Sequence, residues 1–156
     1  MNPNSNASRI LCYGDSNTNG AIPGDGGRFQ TDKRWPGALQ ILLGNNYEVI
    51  EEGMGGRTTN MDDPKEQARN GKTYLAPCLW THNPIDIIIL MLGTNDMKQR
   101  YARQPEEIGR GMEELIEIIK TESECDHGQI KVLIISPPLI DETTPQAQEK
   151  YIGARQ

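Results

Sequence analysis

The chain has 156 residues, enough for one domain to bury its own hydrophobic core without a metal or a crosslink. Its formal net charge of −6 leaves no excess of basic side chains, which argues against nucleic acid as a partner. The three cysteines are odd in number and widely spaced, so we expect reduced thiols in the cytoplasm rather than a disulfide framework or a metal site.

The N-terminal half alternates between apolar runs and helical periodicity. We expect residues 1–8, which are polar, to be flexible, and the run "RILCY" that follows them to form the first strand. The stretch "RWPGALQILLG" predicts a helix with Pro36 in its first turn and Gly44 as its C-cap. The run "YEVIE" from Tyr47 predicts the second strand.

The C-terminal half repeats this alternation. A helix is predicted for "TYLAPCLWTH", residues 73–82, although Pro77 leaves its ends undefined. The run "DIIILML" predicts the third strand, and "PEEIGRGMEELIEIIKTE" from Pro105 predicts an amphipathic helix. The run "IKVLIIS" from Ile130 predicts the fourth strand. No apolar run is long enough to span a bilayer, so we expect no membrane as a partner.

Strands that are apolar throughout and alternate with helices favour an α/β fold whose parallel sheet is covered on both faces. Ligands bind such sheets beyond the carboxyl ends of the strands. Those ends carry "GDSNTNG", "EGMGGRTTN", "GTND" and "SPPLID". Small residues there let backbone N–H groups approach a ligand, and hydroxyl and amide side chains add further donors. The sequence therefore predicts an oxyanion-binding site of the kind that acyl transfer requires.

The blocks "GDSNTNG", "GMGGRTT" and "GTND" resemble, in this order, the first three motif blocks of the SGNH, or GDSL, hydrolases, especially the small bacterial arylesterase-type members. The resemblance runs from about Arg9 to Pro138. It implies one domain over residues 1–156 with a three-layer α/β/α, flavodoxin-like fold. It also implies hydrolysis of small-acyl esters through an acyl-serine intermediate, without a cofactor.

The same resemblance implies roles for individual residues. Ser16 would be the nucleophile and would also donate its backbone N–H to the oxyanion hole. Gly56 would supply a second N–H and Asn95 a side-chain donor, while Asp15 and Asp96 would hold the loops. Taken alone, Ser16 would be better interpreted as a helix N-cap, and only the two other blocks favour a catalytic position.

The chain departs from the family at the C-terminal Asp-x-x-His block, which SGNH hydrolases carry after a fifth strand. Its two histidines, His82 and His127, each precede an apolar run and so belong at the opposite end of the sheet from Ser16. At about 3.3 Å per residue, a strand puts them roughly 20 Å away, whereas a general base must come within about 3 Å. We therefore expect no general base in this chain, which we interpret as C-terminally truncated, with four strands and the fifth missing.

Two other interpretations stay open. A strand, a "GDSNTNG" turn and a helix are also typical of flavodoxin-like modules that bind phosphate or flavin. A non-catalytic protein of SGNH shape would instead hold a carboxylate or acyl group in the oxyanion hole.

Further expectations concern the ligand and the surface. As the ligand we expect a small-molecule ester with an acetyl-sized acyl group, because the loop "AIPGDGGRFQTDK" offers only Phe29 as a large apolar side chain. We interpret Arg57, Asp62 and Asp63 as a solvated charged loop. A sheet of order 2-1-3-4 would leave the apolar fourth strand at an edge, which predicts a homo-oligomer.

Overall fold

The computed structural model describes residues 2–125, 129–141 and 143–151. The strands are β1 (Ser8–Gly14), β2 (Tyr47–Gly53), β3 (Ile87–Met91) and β4 (Lys131–Ile134). The helices are α1 (Ser16–Asn19), α2 (Trp35–Leu43), α3 (Gly71–His82), α4 (Pro105–Cys125) and α5 (Pro145–Tyr151), with short 3-10 helices at Gly44–Asn46 and Gln99–Tyr101. β1 takes in Ser8, the last residue of the segment expected to be flexible.

The four strands form one parallel sheet in the order β2-β1-β3-β4, which confirms the α/β fold class and the expected order. In the middle of the sheet, Leu11 lies opposite Ile50 on one side and Ile88 on the other. Ile88 in turn lies opposite Val132 of β4. The central strands β1 and β3 carry uninterrupted apolar runs, residues 10–13 and Ile87–Met91, because helices cover both faces of the sheet.

Successive side chains of each strand point to opposite faces and build two separate cores. The larger core lies between the sheet and helices α3 and α4, and its fully buried side chains include Leu11, Tyr13, Leu75, Ile88, Leu90, Leu115 and Ile119. The smaller core lies between the sheet and α2. It contains Ile10, Cys12 and Ile89, packed against Trp35, Leu39 and Leu43. Three layers result, as the sequence resemblance implied.

The helix ends follow local capping chemistry. The predicted C-cap, Gly44, directly follows the last residue of α2. Its φ of 65° is a backbone conformation that residues with a side chain rarely adopt. α3 begins two residues before the prediction because the side chain of Asn70 accepts a hydrogen bond from the Lys72 N–H. Pro77 lies inside α3 without ending it. No helix within the described ranges is both long and apolar enough to cross a membrane.

The β4 strand forms one edge of the sheet in the described part of the chain, and its side chains are poorly covered. Leu133 is 51% exposed and Ile134 is 52% exposed. Since an open apolar edge pairs readily with another strand, we expect the 156-residue chain to self-associate, with a sedimentation coefficient that rises with concentration. Leu133→Lys should shift the protein towards monomer. The control Leu42→Lys, at an exposed position on α2, should not. A wild-type monomer at every concentration would contradict this prediction.

Candidate active site

Ser16 is the first residue of α1, directly beyond the carboxyl end of β1. The side chain of Asp15 caps this helix by accepting a hydrogen bond from the Asn17 N–H at 2.8 Å. Two strand-end glycines allow α1 to lie this close to the sheet. A Cβ at Gly14 would come within 2.0 Å of the Thr18 hydroxyl, and one at Gly53 within 2.2 Å of the Asn19 nitrogen.

The loop after β2 brings Gly56 to the same place. The Met54 N–H donates to the Gly14 carbonyl at 3.0 Å, and the Arg57 N–H then closes a turn on the Met54 carbonyl. Gly56 lies in this turn with a φ of 78°, a conformation that side chains disfavour. These hydrogen bonds hold the loop that carries Gly56 beside Gly14 and Asp15, the two residues that precede Ser16.

Asn95, in the loop after β3, links the first two blocks. Its side-chain amide donates to the Arg57 carbonyl at 2.9 Å and, at a longer 3.4 Å, to the Asp15 carboxylate. Asn95 is buried and Asp15 is fully buried. Asn95 therefore contacts both Asp15, which precedes Ser16, and Arg57, which follows Gly56. The three motif blocks converge at one edge of the sheet.

Asp96 holds the loop after β2 to the loop after β3. Its carboxylate accepts hydrogen bonds from the Thr59 N–H at 3.0 Å and the Thr59 hydroxyl at 2.6 Å, and it pairs with Arg103 at 2.8 Å. Burial raises the pKa of the Asp96 carboxyl, while the Thr59 hydrogen bonds and the Arg103 charge act in the opposite direction. Arg103 was not predicted as a site residue, because the residues around it in the sequence do not show that it pairs with Asp96.

Burial also raises the pKa of the Asp15 carboxyl, and the hydrogen bonds from Asn17 and Thr94 oppose that effect. Asp15 thus contacts α1 and Asn95, and Asp96 contacts Thr59 and Arg103, while their supporting roles stay a prediction.

The interpretation of the charged loop as solvated was wrong for Arg57 and Asp63. Arg57 is 2% exposed, and its guanidinium lies 4.2 Å from the centre of the Tyr13 ring. Asp63 is buried, pairs with Arg100 and accepts a hydrogen bond from the Tyr101 hydroxyl at 2.5 Å. Asp62 is exposed, as expected. The local sequence carries no signal for the burial of Arg57, because it depends on the rings of Tyr13 and Tyr74 from other elements.

The imidazole of His82, the one histidine in the described residues, pairs with a strand carboxylate. The Nε2 atom of His82 lies 2.7 Å from a carboxylate oxygen of Glu52. The backbone carbonyl of His82 accepts a hydrogen bond from the side chain of Arg9, near the start of β1 and thus at the opposite end of that strand from Ser16. Its imidazole instead meets Glu52, the next-to-last residue of β2, so the expected placement at the far end of the sheet describes the backbone of His82 and not its side chain. His127 lies outside the described residues. That the chain supplies no general base therefore stays a prediction.

Residues 12–156 match the model of the GDSL-like lipase/acylhydrolase family. The chain belongs to this family. An inhibitor-bound aryl esterase from M. smegmatis has a similar structure, with a TM-score of 0.89 and 43% sequence identity, covering 95% of this chain and 73% of that one. A carbohydrate acetylesterase from Sinorhizobium meliloti has a TM-score of 0.88 and 39% identity, covering 94% and 72%.

A third relative is a much longer protein. An acetylxylan esterase from Xylanibacter ruminicola is 30% identical over 124 residues, which is 76% of this chain but 23% of that protein. Family membership confirms the predicted class, a GDSL-type carboxylic ester hydrolase, and favours it over a flavodoxin-like phosphate or flavin module.

Proposed function

We propose that this GDSL-family protein hydrolyses esters of small acyl groups through an acyl-Ser16 intermediate. The observation that carries the proposal is the convergence of Ser16, Gly56 and Asn95, which are joined through the Asp15 carboxylate and the Arg57 carbonyl. A serine hydroxyl beside two backbone N–H groups and an amide is the arrangement that acyl transfer needs.

In the first step, the Ser16 hydroxyl oxygen attacks the ester carbonyl carbon, and its proton passes to the histidine of the Asp-x-x-His block that a C-terminally extended chain would supply. The carbonyl oxygen becomes an oxyanion, which would accept hydrogen bonds from the N–H groups of Ser16 and Gly56 and from the Asn95 amide. One Asn95 hydrogen already serves the Arg57 carbonyl at 2.9 Å, whereas the contact with Asp15 is long at 3.4 Å. That second hydrogen is the one available to the oxyanion, since long hydrogen bonds are weak.

The acyl group that we propose is acetyl. The S. meliloti and X. ruminicola relatives are, by name, an acetylesterase and an acetylxylan esterase. In this chain, the long loop between α1 and α2 has two bulky apolar side chains, Ile22 and Phe29, and Phe29 is 43% exposed. A loop with so little apolar surface offers little to a long acyl chain.

The test compares two lengths of chain. The 156-residue chain should hydrolyse p-nitrophenyl acetate slowly, at the residual rate of about 10³ to 10⁴ over water that an oxyanion hole and binding provide. A chain extended by an Asp-x-x-His segment of an aryl esterase should be faster by orders of magnitude, and should prefer acetate to octanoate. Equal rates for both lengths, or loss of activity in His82→Ala, would contradict the proposal.

Asn95→Ala in the extended chain should lower kcat by about 10²- to 10³-fold, or about 3 to 4 kcal/mol, because one oxyanion donor is lost. KM should change little, since an oxyanion donor acts mainly in the transition state. Steady-state kinetics on p-nitrophenyl acetate measure both constants. Asn45→Ala, a change in an exposed 3-10 helix, is the control and should leave kcat unchanged. An Asn95→Ala variant that raised KM alone would assign Asn95 to ground-state binding instead.

A further inference from the structure

A second cluster of reactive side chains lies outside the candidate active site. It consists of Glu52, Cys78 and His82, which offer a carboxylate oxygen, a thiol sulfur and an imidazole nitrogen within 4.8 Å of one another. We propose that these three residues bind a zinc ion. No metal site was expected from the widely spaced cysteines. Cysteine spacing cannot show that a strand-end glutamate meets a helical cysteine and histidine.

The fold brings these ligands together without special backbone geometry. Cys78 and His82 are four residues apart in α3, so they lie on the same face of the helix. Glu52 is the next-to-last residue of β2, two residues after Ile50, which packs against the core under α3. Residues two apart in a strand share a face, so the Glu52 side chain also points towards α3. A bound ion would tie α3 to the end of β2.

The donor set matches zinc better than magnesium or calcium. Thiolate and imidazole ligands suit zinc, whereas magnesium and calcium prefer oxygen ligands alone. Zinc bonds of about 2.0 to 2.3 Å put tetrahedral ligand atoms about 3.3 to 3.8 Å apart. The Glu52 and His82 atoms lie 2.7 Å apart and the whole set lies within 4.8 Å, so small side-chain rotations reach that spacing.

The Glu52 side of the cluster adjoins a cavity of about 500 Å³. Glu52 lines this cavity together with Arg57 and Tyr74, whereas Cys78 and His82 do not, so a water molecule acting as fourth ligand would approach from the Glu52 side. Burial raises the pKa of the Cys78 thiol to about 12, an effect that Glu52 adds to and Arg57 opposes. On binding, the S–H bond breaks, the proton passes to solvent, and sulfur bonds the metal. With Cys78 ionised, Glu52 and the thiolate carry two negative charges and nearby Arg57 carries one positive charge. The net negative charge favours binding of a cation.

The test uses Co²⁺ as a spectroscopic substitute for Zn²⁺. Titration of the wild-type protein should produce a thiolate-to-cobalt charge-transfer band that saturates at one ion per chain and disappears when Zn²⁺ is added. Cys78→Ala should abolish the band. His82→Gln should weaken Co²⁺ binding by more than the roughly 10- to 100-fold that loss of an outer-shell partner costs. Zn²⁺ should also raise the melting temperature of the wild type but not of Cys78→Ala.

Matched controls separate this cluster from the buried thiol of Cys12 and from the chain's other imidazole. Cys12→Ala, in the core under α2, and His127→Gln should both keep the charge-transfer band and its stoichiometry. Circular dichroism of each variant verifies that it is folded. The proposal is overturned if the folded wild type binds no Co²⁺ or Zn²⁺, if the band persists in Cys78→Ala, or if His82→Gln binds Co²⁺ as tightly as the wild type.

Discussion

Ser16→Ala should reduce hydrolysis of p-nitrophenyl acetate by the Asp-x-x-His-extended chain to the rate of the unextended chain. A loss of up to about 10⁶-fold is expected, because removing the nucleophile of a serine hydrolase costs nearly as much as removing its whole triad. In the 156-residue chain itself, the same substitution should change little, since a serine without a general base is a poor nucleophile. Initial rates of the four proteins, at equal concentration and pH, measure this difference.

The control for this comparison is Ser8→Ala. Ser8 is the first residue of the seven-residue strand β1, at the opposite end of that strand from Ser16, so the rate of the extended chain should be unchanged. His82→Ala should also leave it nearly unchanged, since the imidazole faces Glu52. If Ser16→Ala retains the full rate of the extended chain, the nucleophile is a different group.

Asp96→Ala should lower the free energy of unfolding by about 3 to 5 kcal/mol, because it leaves a buried arginine without its counter-charge. Arg103 is 8% exposed at its side chain and Asp96 is fully buried, so water cannot replace the lost carboxylate. The Thr59 N–H and hydroxyl lose their acceptor in the same variant. Urea unfolding followed by circular dichroism should show a lower midpoint with an unchanged slope.

The exposed pair Lys120 and Glu117 provides the matched control for the buried pair. Their side chains are 60% and 68% exposed, so Lys120→Ala should cost less than about 0.5 kcal/mol. The double variant Asp96→Ala, Arg103→Met should be more stable than Asp96→Ala alone, since it removes the uncompensated charge. A loss in Asp96→Ala no larger than in Lys120→Ala would show that Asp96 does not hold the two loops.

The sheet was predictable because short apolar runs alternate with helical segments, and because the central strands β1 and β3 are apolar on both faces. The convergence of the motif blocks was predictable for a related reason, since the carboxyl ends of parallel strands meet at one edge. Ser16, Gly56 and Asn95 each follow a different strand, and the strand order brings β2 and β3 to either side of β1. Local sequence and topology together were enough to place these three residues.

Contacts that depend on several elements at once were not predictable. Arg57 is buried because its guanidinium lies against the rings of Tyr13 in β1 and Tyr74 in α3, which are far from it in sequence. In isolation, a charged residue in a glycine-rich loop is better interpreted as solvated. The meeting of Glu52 with His82 depends in the same way on how α3 packs against β2. Sequence spacing cannot show such packing.

The central claim is that Ser16 is the nucleophile, and covalent labelling tests it most directly. The Asp-x-x-His-extended chain is treated with a p-nitrophenyl phosphonate, which transfers its phosphonyl group irreversibly to an activated serine, and is then digested and mapped by mass spectrometry. We predict one phosphonyl group per chain, located on Ser16, with loss of esterase activity in proportion to labelling. Inactivation with the label on a different residue, or full activity after Ser16 is labelled, would contradict the claim.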